Sequence, residues 1–172
     1  MAHHVENKLV VNVSKNDIWK VLGDFSSVEK FATTIESSPI INEVKSGLGS
    51  KRLCTFQDGS SLVEEIVEFK DGHGFKMVLS EFSLPLKSMS AEMYVREIDG
   101  GKSEVSMKSD FIVKGGPLGW LMGSLMMKPM MKSVFKKLLT GLAYYSATGT
   151  EIGKKLPTSK ELTPILHPSS SL

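Results

Sequence analysis

The sequence is poor in the features that anchor covalent or metal-dependent folds. Its 172 residues include one cysteine, Cys54, so neither an intramolecular disulfide nor a cysteine-rich zinc site is expected. It contains no apolar run of about 20 residues, the length a membrane-spanning helix needs. No apolar stretch follows its first residues, so no secretory signal is visible and a cytoplasmic protein is the expectation. With 41% apolar and 23% charged residues, the composition is that of a globular domain.

Catalytic and cofactor-binding motifs are also absent. The sequence has no glycine-rich phosphate loop, no His-Glu-x-x-His and no Gly-x-Ser-x-Gly. His3 and His4 stand at the start and His167 in the tail, while His73 lies between glycines in a turn where a solvated side chain is expected. A metal site needs several converging ligands, so we expect no metal and no other cofactor. Cys54 lies in a strand-like run and is expected to be a small buried apolar residue rather than a nucleophile.

Charge is distributed unevenly along the chain. Residues 1–113 contain 13 Lys and Arg against 17 Asp and Glu, whereas residues 114–155 contain seven lysines and one glutamate. A basic segment of this kind can face the acidic remainder of its own fold, an anionic membrane or a nucleic acid. We expect no nucleic-acid partner. Peripheral contact of the basic C-terminal helix with an anionic membrane stands as an alternative to neutralisation within the fold.

The order of the predicted elements indicates an antiparallel sheet followed by a long helix. A first strand over residues 5–13 precedes two short helices, capped by Ser14 or Asn16 and by Ser27. Period-two patterns then predict six strands, over residues 40–44, 52–56, 62–69, 75–82, 89–98 and 105–113. Their connections are too short for parallel crossovers, so the strands form an antiparallel meander.

A helical pattern replaces the strands near the C-terminus. Apolar residues spaced four and three apart predict a helix from about Pro117 to Ala147, which Pro129 should kink or split. Three prolines and a serine run follow, so residues 148–172 are predicted to be an irregular, mobile tail to a domain over residues 1–147.

This arrangement resembles the START-like helix-grip (SRPBCC) superfamily, in particular its polyketide cyclase/dehydrase and lipid-transport family, a distant cousin of the plant abscisic-acid receptors. The resemblance rests on segments whose order and spacing match that family: Val13–Trp19, Asp24-Phe25, Lys51-Arg52, Asp58-Gly59, Glu64-Glu65 and Leu84-Pro85-Leu86. It implies an α+β fold in which a seven-stranded antiparallel sheet wraps around a long C-terminal helix, with two short helices after strand 1.

Methionines mark the candidate binding region. The chain has ten, four of them on predicted strands and five in the C-terminal helix, and their flexible thioethers suit either an irregular core or a pliant apolar cavity. We predict an apolar cavity between sheet and helix, lined by Met77, Leu79, Met89, Ala91, Met107, Met131, Phe135 and Leu138. The resemblance places Glu64 at its wall, where it would bind a ligand hydroxyl; a solvated Glu64 is the alternative.

The resemblance also implies two loops that close over the ligand. They correspond here to Asp58 and Gly59 in one loop and to Leu84 and Pro85 in the other, although Asp58-Gly59 equally suits a simple hairpin turn. Glu36 stands where the hormone receptors carry a lysine that meets the ligand carboxylate. That difference argues against an anionic ligand in the same pose.

Three functions follow from these patterns. The first is binding or carriage of a hydrophobic small molecule, such as a lipid, an isoprenoid or an aromatic polyketide. The second is a polyketide cyclase or dehydratase activity that uses a pocket carboxylate, Glu64, with Asp110 as its partner. The third is an interaction module without a ligand, which contacts a protein or a membrane. A binding protein is favoured over an enzyme because the sequence shows no converging acid–base pair.

Overall fold

A computed structural model describes residues 1–168, within which seven strands form one antiparallel sheet in the order β1-β7-β6-β5-β4-β3-β2. The strands are β1 (His3–Val11), β2 (Ile35–Ser37), β3 (Lys51–Phe56), β4 (Ser61–Lys70), β5 (Gly74–Ser80), β6 (Leu86–Asp99) and β7 (Lys102–Val113). The helices are α1 (Lys15–Leu22), a 3₁₀ turn (Val28–Lys30), α2 (Gly116–Met122), a π turn (Gly123–Met127), α3 (Lys128–Thr148) and α4 (Ser159–Leu162). The predicted helix-grip fold is confirmed.

Alternation along the strands decides which side chains face α3. On β5, Phe75, Met77 and Leu79 are buried while Val78 and Ser80 are exposed, as the period-two pattern predicts. The same alternation continues on β6 and β7, which pair with register Met93↔Met107. The apolar face of the sheet and the buried side of α3 therefore form one core.

A bulge in β4 resolves a pattern that the sequence leaves ambiguous. Glu64 pairs with Leu79 and Ile66 with Met77, but the register then shifts so that Glu68 pairs with Lys76. The extra residue, Val67, is exposed. A bulge reverses the parity of the strand, so no single period-two reading fits all of β4.

The second strand differs from the prediction. Residues 40–44 lie outside the strands except for one isolated bridge at Ile40. The strand that pairs with β3 on the side away from β4 is β2. The side chain of Asn42 takes over part of the ladder, because its amide donates to Gly49 O at 2.8 Å and its oxygen accepts from Lys51 N at 3.2 Å. Side-chain bonds of this kind compete with regular strand pairing.

The C-terminal helical region is split as Pro129 predicts. A proline lacks the N–H that would bond to the carbonyl four residues earlier, and its ring crowds that carbonyl. The hydrogen-bond ladder accordingly widens to a π turn over residues 123–127 before α3 begins. On α3, Met131, Phe135 and Leu138 are buried, as their spacing predicts.

Residues 150–168, predicted to be an irregular tail, contain one short helix and pack against the rest of the fold. Ile152, Leu162, Ile165 and Leu166 are buried, and a capping box starts α4. The backbone of this segment bonds to the free edge of β1, with Asn12 N donating to Ile165 O at 2.7 Å. An edge strand has unpaired donors and acceptors, and the tail satisfies some of them. Residues 169–172 of the predicted tail lie outside the described residues.

Candidate functional site

The predicted cavity-lining residues come together in the core. All eight apolar side chains, from β5, β6, β7 and α3, are buried and belong to one cluster: Met77, Leu79, Met89, Ala91, Met107, Met131, Phe135 and Leu138. Methionines contribute to this cluster from both the sheet and α3. That these residues line a ligand cavity stays a prediction.

Glu64 lies in the same interior as half of a buried ion pair. Directly opposite it on β3, the Arg52 guanidinium donates to Glu64 Oε2 from Nε at 2.6 Å and from Nη2 at 2.5 Å. Arg52 Nη1 also donates to Phe25 O at 2.7 Å, and the guanidinium lies 3.9 Å from the centre of the Phe25 ring. Burial lowers the pKa of Arg52, but the Glu64 carboxylate and the Cys54 side chain together outweigh burial, so the pKa of Arg52 is raised overall. The carboxylate is therefore neither solvated nor alone.

Cys54 adds a third polar group to this pair. Its thiol lies 3.4 Å from Glu64 Oε2 and is buried as predicted. Burial first, and then the neighbouring Glu64 charge, raise the pKa of the Cys54 thiol, so the reactive thiolate is disfavoured. The hydrogen bonds described above to the Glu64 carboxylate all involve Oε2. Oε1 can therefore still accept a hydrogen bond.

Sequence reasoning missed Arg52 as a partner of Glu64. A signal was present, because Arg52 shares the parity of Cys54 in β3, and an inward-facing arginine requires a buried acceptor. Only the register of β3 against β4 identifies that acceptor as Glu64.

The second proposed carboxylate does not reach this site. Asp110 lies on the outer face of β7, exposed, where its Oδ1 is 3.0 Å from His4 Nδ1. Glu64 faces the interior. The two carboxylates therefore lie on opposite faces of the sheet and cannot act as an acid–base pair on one ligand.

The two predicted gate loops meet at one end of the sheet. In the first, Gly59 has a φ of +82° and Asp58 accepts bonds from Ser60, which lower the pKa of the Asp58 carboxyl. The second loop joins β5 to β6, and its Ser83 donates from the backbone to Ser61 O at 3.1 Å. The gate loops are thus linked by hydrogen bonds next to their tips.

A third segment joins them at the end of β7. Lys114 N donates to Pro85 O at 2.9 Å, which ties the second loop to the start of α2. Leu84 packs against the core, whereas Pro85 is exposed. Glu81, at the start of the same loop, has a φ of +53°, a left-handed conformation that residues other than glycine seldom adopt.

A cavity of about 440 Å³ lies at this end of the sheet. Two predicted ligand-binding residues, Leu79 and Met89, contribute to its wall, together with Phe82 of the second loop, Leu86 at the start of β6, and Lys114. The cavity is open, and the rest of its wall consists of exposed residues: Val78, Ser80, Glu81, Lys87 and Ser88. The remaining six predicted apolar residues, including all three from α3, are buried in the core and do not line this cavity. The cavity therefore marks the place where the predicted interior approaches the surface.

The N-terminal histidines are part of the fold. His3 is buried, with its ring 5.1 Å from that of Phe111 and 5.8 Å from that of Trp120. Burial first, and then the charge of Lys128, lower the pKa of His3.

His73 lies in a turn, and its side chain is exposed, as predicted. Glu36 on β2 is exposed as well.

The described part of the chain has neither a cluster of metal ligands nor a membrane-spanning helix. Among residues 1–168, no group of three or more His, Cys, Asp or Glu side chains is placed to hold a metal ion. Over the same residues, no helix is both long and apolar enough to cross a bilayer.

The curled antiparallel sheet and the long helix define a helix-grip protein. The chain belongs to the polyketide cyclase/dehydrase and lipid transport family, whose sequence model matches residues 2–147. No curated protein matches the chain at a significant level.

Solved structures support the fold at low sequence identity. An uncharacterised protein from Bacillus thuringiensis has a TM-score of 0.68 and 16% identity, over 84% of this chain and 99% of that protein. The Zhui aromatase/cyclase from Streptomyces sp. R1128 has a TM-score of 0.67 and 12% identity, over 88% and 100%. A point mutant of Thalictrum flavum norcoclaurine synthase, in complex with a transition-state analogue, has a TM-score of 0.59 and 17% identity, over 81% and 95%.

Proposed function

We propose that this protein binds and carries a hydrophobic small molecule between the sheet and α3. The observation that carries the proposal is the apolar cluster shared by the sheet and α3, two of whose members, Leu79 and Met89, line an open cavity of about 440 Å³. The size of this cavity falls within the roughly 300–1,000 Å³ typical of small-molecule sites. The methionines behind it can repack around differently shaped guests, since their side chains are unbranched and flexible.

The buried ion pair limits the chemistry of the ligand. Because Arg52 already neutralises Glu64, a guest needs no charge of its own to be accommodated beside it. Oε1 of Glu64 is the acceptor left for a ligand hydroxyl. The ligand class that fits is an apolar body with a neutral polar group, such as an isoprenoid, a lipid or an aromatic polyketide.

Binding is favoured over catalysis for a structural reason. The relatives named above as an aromatase/cyclase and a norcoclaurine synthase indicate that this fold can support enzymes. In this chain, however, Glu64 is held by Arg52, and Asp110 lies on the other face of the sheet. A general acid–base pair would need both groups on the same ligand.

A fluorescent probe tests the proposed site. Met89→Trp fills part of the cavity and should weaken binding of the neutral probe N-phenyl-1-naphthylamine at least tenfold. Met93→Trp is the matched control, because it makes the same change at a buried position of the same strand and face that is not among the cavity-wall residues. Native mass spectrometry of the purified protein should also detect a bound apolar molecule.

Equal probe affinity in the two variants would refute this assignment of the site. If either tryptophan variant fails to fold, Phe82→Ala provides the same test, because it removes a half-buried wall residue without adding volume. Unchanged affinity in Phe82→Ala would contradict the proposal in the same way.

A further inference from the structure

The helical segment that closes the gate end of the sheet has its large apolar side chains on the outside. Leu118, Leu125 and Met126 are 76%, 68% and 68% exposed. Together with two further exposed side chains they form what we term the apolar helix face: Leu118, Leu121, Leu125, Met126 and Met130. Most of these residues recur at helical spacing and line a second, apolar cavity of about 410 Å³.

Two glycines lie on the inner side of this segment, together with the buried side chain of Met127. A Cβ on Gly119 would lie 2.0 Å from Lys114 O, and one on Gly123 would lie 2.3 Å from His3 Nε2. These contacts set the segment tightly against the end of the sheet, with the Trp120 ring stacked near His3. The leucines and methionines of the apolar helix face are therefore not needed to close the end of the sheet. Contiguous exposed apolar surface of this kind is typical of an interaction site.

Lysines flank the apolar helix face along the sequence, with no acidic residue in the same stretch. Lys114, Lys128, Lys132, Lys136 and Lys137 lie in or beside it, and the sequence has no Asp or Glu between residues 111 and 150. Within residues 1–168, none of these five lysines forms an ion pair. Their charge is therefore available to an anionic surface.

We propose that the apolar helix face docks on an anionic lipid membrane, with its leucines and methionines at the acyl boundary and the lysines at the headgroups. Between residues 115 and 131, the side chains offer no hydrogen-bonding group besides Trp120, Ser124 and Lys128, so little is present to specify a protein partner. If two copies of the chain met through this face, the five lysines of one copy would lie opposite the five of the other and repel them. A helix parallel to the surface satisfies both the apolar side chains and the charge.

Docking in this way also positions the gate. Lys114 borders both the apolar helix face and the cavity that contains Leu79 and Met89. The mouth of that cavity would then lie beside the lipid, where an apolar guest can be exchanged. The exchange of a guest beside the lipid rests on the proposed function, whereas membrane docking of the apolar helix face does not.

Co-sedimentation with vesicles tests the docking. We expect binding to vesicles of phosphatidylcholine with added phosphatidylglycerol, weaker binding to phosphatidylcholine alone, and a loss of affinity as salt screens the lysines. Leu125→Glu should abolish binding. Leu48→Glu is the matched control, since Leu48 is 63% exposed in the loop before β3, and it should leave binding unchanged.

A second pair of variants isolates the charge. The double variant Lys128→Gln/Lys132→Gln should weaken binding to the anionic vesicles by roughly fivefold for each lysine. Lys45→Gln/Lys70→Gln removes the same charge from exposed positions elsewhere and should have little effect.

Several results would overturn the docking. They are failure to bind anionic vesicles at low salt, equal binding to neutral vesicles, equal losses in the test and control variants, or dimerisation in ultracentrifugation that Leu125→Glu abolishes. Binding of N-phenyl-1-naphthylamine, measured without vesicles, tests the proposed function independently of membrane docking. Leu125→Glu should retain probe affinity, so either activity can fail while the other stands.

Discussion

Replacing Arg52 by methionine should destabilise the fold far more than removal of an ordinary surface cation. Methionine keeps much of the aliphatic length but removes both bonds to Glu64 Oε2 and the bond to Phe25 O. The carboxylate then stays in the interior with only the Cys54 thiol nearby, at 3.4 Å. Breaking a buried pair by deleting one partner typically costs about 3–5 kcal/mol, because the remaining charge is left without compensation.

The same two strands supply a matched control. Lys51 and Glu65 occupy the next register position and form an ion pair of 3.2 Å on the outer face, with both side chains 41% exposed. Water already solvates and screens that pair, so Lys51→Met should change the free energy of unfolding by less than about 1 kcal/mol. The two variants thus differ in burial while the strand and the charge type stay the same.

Urea unfolding, followed by circular dichroism, measures both effects. The double variant Arg52→Met/Glu64→Leu should recover most of the stability lost in Arg52→Met, since it removes the charge that was left unpaired. A cost of Arg52→Met no larger than that of Lys51→Met, or a double variant no more stable than the single one, would refute this reasoning.

Two other perturbations test the packing. Gly141→Ala should lower the free energy of unfolding by about 1–3 kcal/mol, since its Cβ would lie 2.0 Å from Phe31 O, whereas Gly153→Ala, with nothing within 4 Å, should have little effect in the same urea assay. Because burial lowers the pKa of His3, the folded state resists protonation there, so stability should fall as pH drops below the ordinary histidine value of 6.5. His3→Leu should reduce this loss of stability at low pH, as measured by thermal unfolding at a series of acidic pH values. An unchanged pH dependence of stability would contradict the assignment to His3.

Patterns that depend on local geometry could be predicted from the sequence. The alternation of Met77, Leu79 and their neighbours follows from the pleat of a strand, and the split at Pro129 follows from a missing donor. The Ser14 cap of α1 belongs to the same class, since its hydroxyl accepts from Asp17 N at 3.1 Å. Each is determined within a few residues.

Features that depend on distant partners could not be predicted. The pairing of Arg52 with Glu64 requires the register between β3 and β4, and the bulge at Val67 is visible only when both neighbouring strands are in place. The tail segment near Ile165 carries a proline and little periodicity, yet it is ordered by bonds to β1. Its structure comes from an edge strand about 150 residues earlier in the chain.

The position of β1 in the sheet has a consequence for how the chain folds. Its only strand neighbour in the described structure is β7, with His3 opposite Phe111, and its other edge meets residues 165–167. During synthesis β1 therefore has no strand partner until residues 102–113 have been made, and its outer edge has none until residues 165–167 follow. Long sequence separation between contacting elements slows folding and prolongs the exposure of unpaired strands. A nascent chain halted before β7 should therefore be prone to aggregation and sensitive to protease, because β1 is then unpaired.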